Sequence, residues 1–165
     1  MVAEVAFWFD FASTYSYLSA MRIEAEAARR DIVVTWRPFL LGPIFVAQGW
    51  GDSPFNIYPA KGRYMWRDLE RQAERLGLPF RRSQPGDPAF PQASLLAARA
   101  ALVALEAGVG PAFCRSVFTA QFAQGQDIAD PALIASIGTA YAIPDIMERA
   151  GSPAVKRDLR DAVDT

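Results

Sequence analysis

The sequence predicts an α/β fold in which the visible strands come before residue 40 and helices follow. Three observations carry this. Residues 5–9, Val-Ala-Phe-Trp-Phe, are a continuous apolar run, and after Asp10 the apolar spacing turns helical. Residues 32–37, Ile-Val-Val-Thr-Trp-Arg, form a second run rich in β-branched and aromatic residues and closed by Pro38. From Pro59 onward the punctuation is that of helices, with proline just inside their starts and glycine just past several ends.

The first run is expected to be a strand buried on both faces, because it carries no polar alternation. The helix after it should bury Tyr17, Leu18, Met21, Ala25 and Ala28, leaving Arg22, Glu26, Arg29 and Arg30 outside. Ser13 stands at the start of this helix, where backbone N–H groups lack partners and an anion or thiolate is favoured. On spacing alone its favoured role is that of an N-cap. Strand, helix and strand at this length make a βαβ unit, so the two strands should be parallel. That places Ser13 outside the carboxyl end of the first strand, where open α/β sheets hold ligands.

Residues 40–58 mix chain breakers with large apolar groups. Phe45, Trp50 and Phe55 must be hidden, so this stretch reads as an ordered lid or pocket wall. A long helix should run from Pro59 to Gly77, with Tyr64, Met65, Leu69 and Leu76 on its buried face. Arg63, Arg67, Glu70, Arg71, Glu74 and Arg75 form its solvated face. After a proline-rich connection over 79–91, helices are expected at 92–107, 111–124, 130–140 and from 152 onward, with a short turn over 145–149. Phe113, Val117, Phe118 and Phe122 make a core stripe, and Cys114 beside them reads as a buried, inert thiol.

Composition narrows the chemistry. With 165 residues, 52% of them hydrophobic, the chain can bury one substantial core. A net charge of −1 from 17 basic and 18 acidic residues leaves no electrostatic footprint for nucleic acid or an anionic membrane. No apolar run approaches the roughly 20 residues that span a bilayer, and no charged leader precedes the first strand. A cytoplasmic location is therefore expected. One cysteine precludes an internal disulfide, and the absence of histidine removes the commonest metal ligand and the usual triad base. No metal is expected. Two parallel strands are marginal alone, so either strands from another chain complete the sheet or, as favoured here, the natural polypeptide continues beyond residue 165.

Four segments carry a family resemblance: Phe9-Asp10-Phe11 with Ser13, Tyr15-Ser16-Tyr17-Leu18; Trp36 to Gly42; Pro59-Ala60-Lys61 with Tyr64-Met65 and Asp68-Leu69; and Ser94 to Arg99. Together they resemble the 2-hydroxychromene-2-carboxylate isomerases, relatives of kappa-class glutathione transferases in the DsbA-like thioredoxin superfamily. The resemblance implies a thioredoxin-like (DsbA-like) fold with an inserted α-helical domain. It divides the chain into a βαβ part over 1–40, the helical insert over 41–150, and the start of a returning helix over 151–165. The C-terminal strands and helix of the family, with the Val-Pro segment implied to pair with glutathione, are expected to lie beyond this chain.

Where thiol oxidoreductases of the superfamily carry Cys-x-x-Cys, this chain has Ser13-Thr14-Tyr15-Ser16, which cannot cycle through a disulfide. The resemblance makes Ser13 the group that holds a glutathione thiolate. That thiolate would add reversibly to a conjugated double bond of a small aromatic substrate, with glutathione returned unchanged. It also implies that Lys61 lies near the glutathione and substrate site, and that relatives form a homodimer. Lysine in a first helical turn opposes the dipole, although it could equally reach out to solvent. Tyr64, one turn on, lines the same cleft or packs in the core. Phe45 belongs to the wall.

Some positions depart from the family. Thr14 replaces a common proline, and Ala93 stands where a polar amide occurs. Asp52 stands nine positions before the lysine, where kappa-class relatives carry asparagine, and Asn56 is the candidate to supply that amide. An aspartate there would repel glutathione's carboxylates. Two alternatives to the isomerase remain: a kappa-like glutathione transferase and a non-catalytic thioredoxin-like binding module.

Overall fold

The computed structural model describes residues 3–164; the outer bounds of the 1–40 and 151–165 divisions, Met1, Val2 and Thr165, lie outside the described residues. The order is β1 (Ala3–Phe9), α1 (Thr14–Ala20), α2 (Ile23–Ala28), β2 (Ile32–Pro38), α3 (Leu41–Ala47), α4 (Pro54–Ile57) and α5 (Pro59–Leu76). Then come α6 (Leu95–Glu106), α7 (Gly110–Phe122), α8 (Pro131–Ala140), α9 (Ile146–Ala150) and α10 (Pro153–Asp164). Among the described residues the sheet has two strands, and they are parallel, with Phe7 opposite Trp36 and Phe9 opposite Pro38.

One face of this pair is buried. Phe7, Phe9 and Trp36 form an edge-on aromatic group, with Phe7–Trp36 ring centres 5.0 Å apart and Phe9–Trp36 5.3 Å apart. On the other face Ala6 and Trp8 are exposed, Trp8 at 41%, which corrects the expectation of a strand enclosed on both sides; Val5, on the face of Phe7, is also 45% exposed. The exposed positions are themselves apolar, so the period-two alternation was invisible in the residue types.

The helix expected as one piece after Ser13 is two. Arg22, at φ −132°, breaks it between α1 and α2. The break turns Ala27 into the core and leaves Ala25 and Ala28 exposed, again correcting the periodic reading. Asp31 then takes a left-handed conformation at φ 53°, which aspartate tolerates, and β2 begins.

Helix α5 starts at Pro59 and ends on Gly77 in the left-handed C-cap conformation, as its sequence signals indicate. Its buried arc is Gly62, Met65, Leu69 and Ala73. Tyr64 lies one position off that arc and is 70% exposed, so it is not a core tyrosine. Small residues dominate the buried side of α6, Ala97, Ala100, Ala101 and Ala104, which lets α7 and α9 approach closely. Helices α6 and α10 both also pack on β2. Phe113, Val117, Phe118 and Phe122 of α7 are buried in the same core, and Cys114 is fully enclosed, where burial pushes its thiol well above the ordinary range. Tyr17 is enclosed too; its hydroxyl donates to the Pro79 carbonyl, and burial pushes it up to about 12. Among the described residues no helix is long and apolar enough to cross a membrane.

Candidate active site

The turn from β1 into α1 opens onto a cavity of about 410 Å³ at the carboxyl end of the strand. Ser13 and Thr14 form its floor. Phe45, Trp50 and Phe55 stand on one side, Phe90 to Leu95 on the other.

Ser13 caps α1. Its backbone is extended at φ −92° and ψ 120°, and its Oγ accepts the Ser16 N–H at 3.2 Å. Capping uses a lone pair of the hydroxyl and leaves its proton, which no described residue accepts, so the same oxygen can cap and donate. Beside it, Thr14 is buried and its Oγ1 has no hydrogen-bond partner among the described residues.

The turn is held by a residue that the sequence reading passed over. Asp10 is only 2% exposed, and its two oxygens go different ways: Oδ1 accepts the Ala12 N–H at 2.9 Å, Oδ2 the Leu41 N–H at 2.7 Å. The second bond serves the first turn of α3, whose N-cap Leu40 has no side chain able to do so. One buried carboxylate thus fixes the Ser13 turn and the helix that carries Phe45 relative to each other. The Asp10 carbonyl also accepts the Ser13 N–H at 2.9 Å.

The stretch over 40–58 is a pocket wall, as its buried-type residues indicate, but it contains two short helices, α3 and α4, where a loop is expected. Phe45 and Trp50 stack with ring centres 5.8 Å apart and planes 17° apart, and Phe55 of α4 completes that side. The opposite side was hidden in the sequence. A helix was expected from Gln92, but α6 begins at Leu95. Instead Gln92 braces a non-helical segment, its Oε1 accepting the Ile128 N–H at 2.8 Å and its Nε2 donating to the Gln126 carbonyl at 3.1 Å. The Phe90–Pro91 peptide in this segment is cis.

Of the six residues singled out from sequence, Ser13, Asp52 and Phe45 line the cavity. Asn56 sits at its edge, where its amide donates to both oxygens of Asp52, at 3.2 and 3.1 Å, and to the Phe90 carbonyl at 3.3 Å. It ties the two walls together, and its amide donors are already committed. Lys61 and Tyr64 are not among the lining residues. Lys61 lies in the first turn of α5 with Nζ 4.6 Å from the centre of the Tyr58 ring, and Gly62 presses that turn onto the Phe55 carbonyl, where a Cβ would come within 2.4 Å. Nearby, the Tyr15 hydroxyl donates to Asp68 Oδ2 at 2.9 Å, joining α1 to α5; burial and that carboxylate push Tyr15 up to about 12. Among the described residues no group of three or more acidic or thiol side chains is placed to hold a metal ion.

Comparisons with known proteins agree with this architecture. The chain is 34% identical over 81 residues to a 2-hydroxychromene-2-carboxylate isomerase of Sphingobium xenophagum, a match covering 48% of this chain and 41% of that relative's length. A solved 2-hydroxychromene-2-carboxylate isomerase superposes with a TM-score of 0.83 at 21% identity, covering 98% of this chain and 77% of that one. The cytosolic disulfide reductase DsbM from Pseudomonas aeruginosa, solved with GSH, superposes at 0.66 and 19% identity, covering 96% and 77%. The model of the DSBA-like thioredoxin domain matches residues 4–165, and the chain belongs to that family.

Proposed function

We propose that this chain acts as a glutathione-dependent cis-trans isomerase on 2-hydroxychromene-2-carboxylate or a similar aromatic-degradation intermediate. The observation that carries the reading is the Ser13-Thr14-Tyr15-Ser16 turn, whose Ser13 and Thr14 line an aromatic cavity, in a chain whose one thiol is enclosed in α7. A disulfide cannot form and break at this turn, so a thiolate working here comes from a second molecule. The partial match to a curated isomerase supports the reaction class, and the fold is one that also occurs in a reductase solved with GSH.

The donor set fits a sulfur anion, since Ser13 keeps a hydroxyl proton while its oxygen is locked in the cap. Bound glutathione would supply a thiolate that adds reversibly to a conjugated double bond, permitting rotation about the single bond so formed. The chain's own part is to hold and shield. Ser13 donates to the sulfur and favours its ionised form. Phe45, Trp50 and Phe55 offer a planar substrate an apolar wall and keep water from it. Asp10 keeps that wall in register with Ser13. Lys61 acts from the turn that packs on Phe55, attracting a substrate carboxylate without touching the cavity floor. Asn56 acts through Asp52 and Phe90, and exposed Tyr64 has no part in this reading.

Asp52, a negative charge at the cavity, favours one alternative, a thioredoxin-like binding module without catalysis. A kappa-like transferase would instead show net conjugation of glutathione to an electrophile. Glutathione at a hundred times its dissociation constant is expected to stabilise the protein by about 2.7 kcal/mol, read as an upward shift in thermal unfolding. No shift at any concentration would overturn the glutathione site.

A further inference from the structure

Resting on that thiol-site reading, we propose that Asp52 makes the cavity select its thiol by charge, accepting an ammonium group at the mouth and turning away a free carboxylate.

Among the described residues the charged side chains that line the cavity are two, Asp10 and Asp52, and both are carboxylates. Among the described residues no lysine or arginine lines it, and the chain has no histidine. Asp10 is set in the wall with its oxygens turned to the Ala12 and Leu41 N–H groups, a fixed negative charge that a ligand does not pair with. Asp52 is different, because it is exposed at the mouth. Its Oδ1 accepts the Ser53 N–H at 2.6 Å and the Asn56 amide at 3.2 Å, and its Oδ2 accepts the Asn56 amide at 3.1 Å. These donors are all neutral. Each carboxylate oxygen has two lone pairs, so Oδ2 has room for another donor. Asp52 takes part in none of the described ion pairs, and the nearby Lys61 ammonium rests on the Tyr58 ring.

A carboxylate entering beside Asp52 therefore meets two like charges in the lining, while the Lys61 ammonium that attracts a substrate carboxylate stands outside that lining on the Tyr58 ring. An ammonium group meets an uncompensated charge with a free acceptor position. The thiolate itself escapes the penalty because Ser13 offers it a proton, whereas the Ser53 N–H and the Asn56 amide beside Asp52 are already given to its carboxylate. The class of ligand is thus a thiol with an amine at one end and no free carboxylate at the other. Glutathione satisfies part of this description, since its γ-glutamyl end carries an ammonium group beside an α-carboxylate, a zwitterionic end, while its glycyl end is a lone carboxylate. Because Asp52 is exposed, each effect should lie in the range of exposed charge pairs, about two- to fivefold in affinity, and should fade with salt.

Isothermal titration of the whole chain at low salt with glutathione, its glycyl ethyl ester and N-acetylglutathione tests this. In the wild type the ester is expected to bind about two- to fivefold tighter than glutathione, and N-acetylglutathione weaker by a similar factor. Both steps should shrink in Asp52→Asn, and both should shrink in the wild type at high salt. A steric penalty from the acetyl group would persist in Asp52→Asn, and steps of unchanged size there would overturn the proposal. Equal affinities in the wild type would also overturn it while leaving the glutathione site standing. Failure of all three to bind would overturn the thiol-site reading and this proposal with it.

Discussion

Replacing Ser13 with alanine is expected to lower glutathione-dependent isomerisation by a factor between about 10 and about 1000, the loss seen when one oriented donor to an anion is removed. The substitution deletes two interactions at once. One is the cap to the Ser16 N–H, worth about 1 kcal/mol of stability. The other is the donated proton, which acts on the rate. Ser13→Asp separates them, because aspartate caps as well as serine but brings a negative charge where the sulfur anion should sit. Stability should then be retained and turnover lost. Kinetics with a chromene substrate and unfolding curves for both variants supply the check, and unchanged turnover in Ser13→Ala would remove Ser13 from the mechanism.

Phe118→Ala is expected to cost about 3–5 kcal/mol, measured as a lowered midpoint of urea unfolding at constant slope. Phe118 is the hub of the aromatic core. Its ring centre lies 4.8 Å from Phe11, 5.9 Å from Phe9, and 6.3 Å from both Tyr17 and Phe122. All five rings are buried, so truncation leaves a void that several elements would have to move together to fill. Phe9 and Phe11 flank Asp10 in the chain, and loosening them loosens the Ser13 turn. With total stability of small domains about 5–15 kcal/mol, this loss takes a large share. A cost below about 1 kcal/mol would contradict the packing described.

What could be read before the structure was local. The Ser13 cap, the Pro59 and Gly77 signals at the two ends of α5 and the Phe113-to-Phe122 stripe are each read from a short run of residues, and the parallel pairing follows from the order strand, helix, strand. The exclusion of disulfide chemistry follows from one cysteine. What escaped depends on distant partners. Asp10 looks like an ordinary turn residue until Leu41, 31 positions away, is seen to donate to it. Gln92 looks like the start of a helix until Ile128, 36 positions away, claims its side chain. The outer face of β1 was misread because Ala6 and Trp8 are apolar yet exposed. Tyr64 was misplaced by one position on a helix whose buried arc runs through Met65, Leu69 and Ala73, a 100° error that moves a side chain from core to solvent.

The central claim is that the Ser13 turn favours a sulfur anion, and its most direct test is the ultraviolet absorbance of the thiolate as glutathione bound to the wild-type chain is titrated with base. The bound thiol is expected to ionise at a lower pH than free glutathione, with Ser13→Ala returning it toward the free value. A wild-type complex in which the bound thiol ionises at or above the pH of the free one would contradict it.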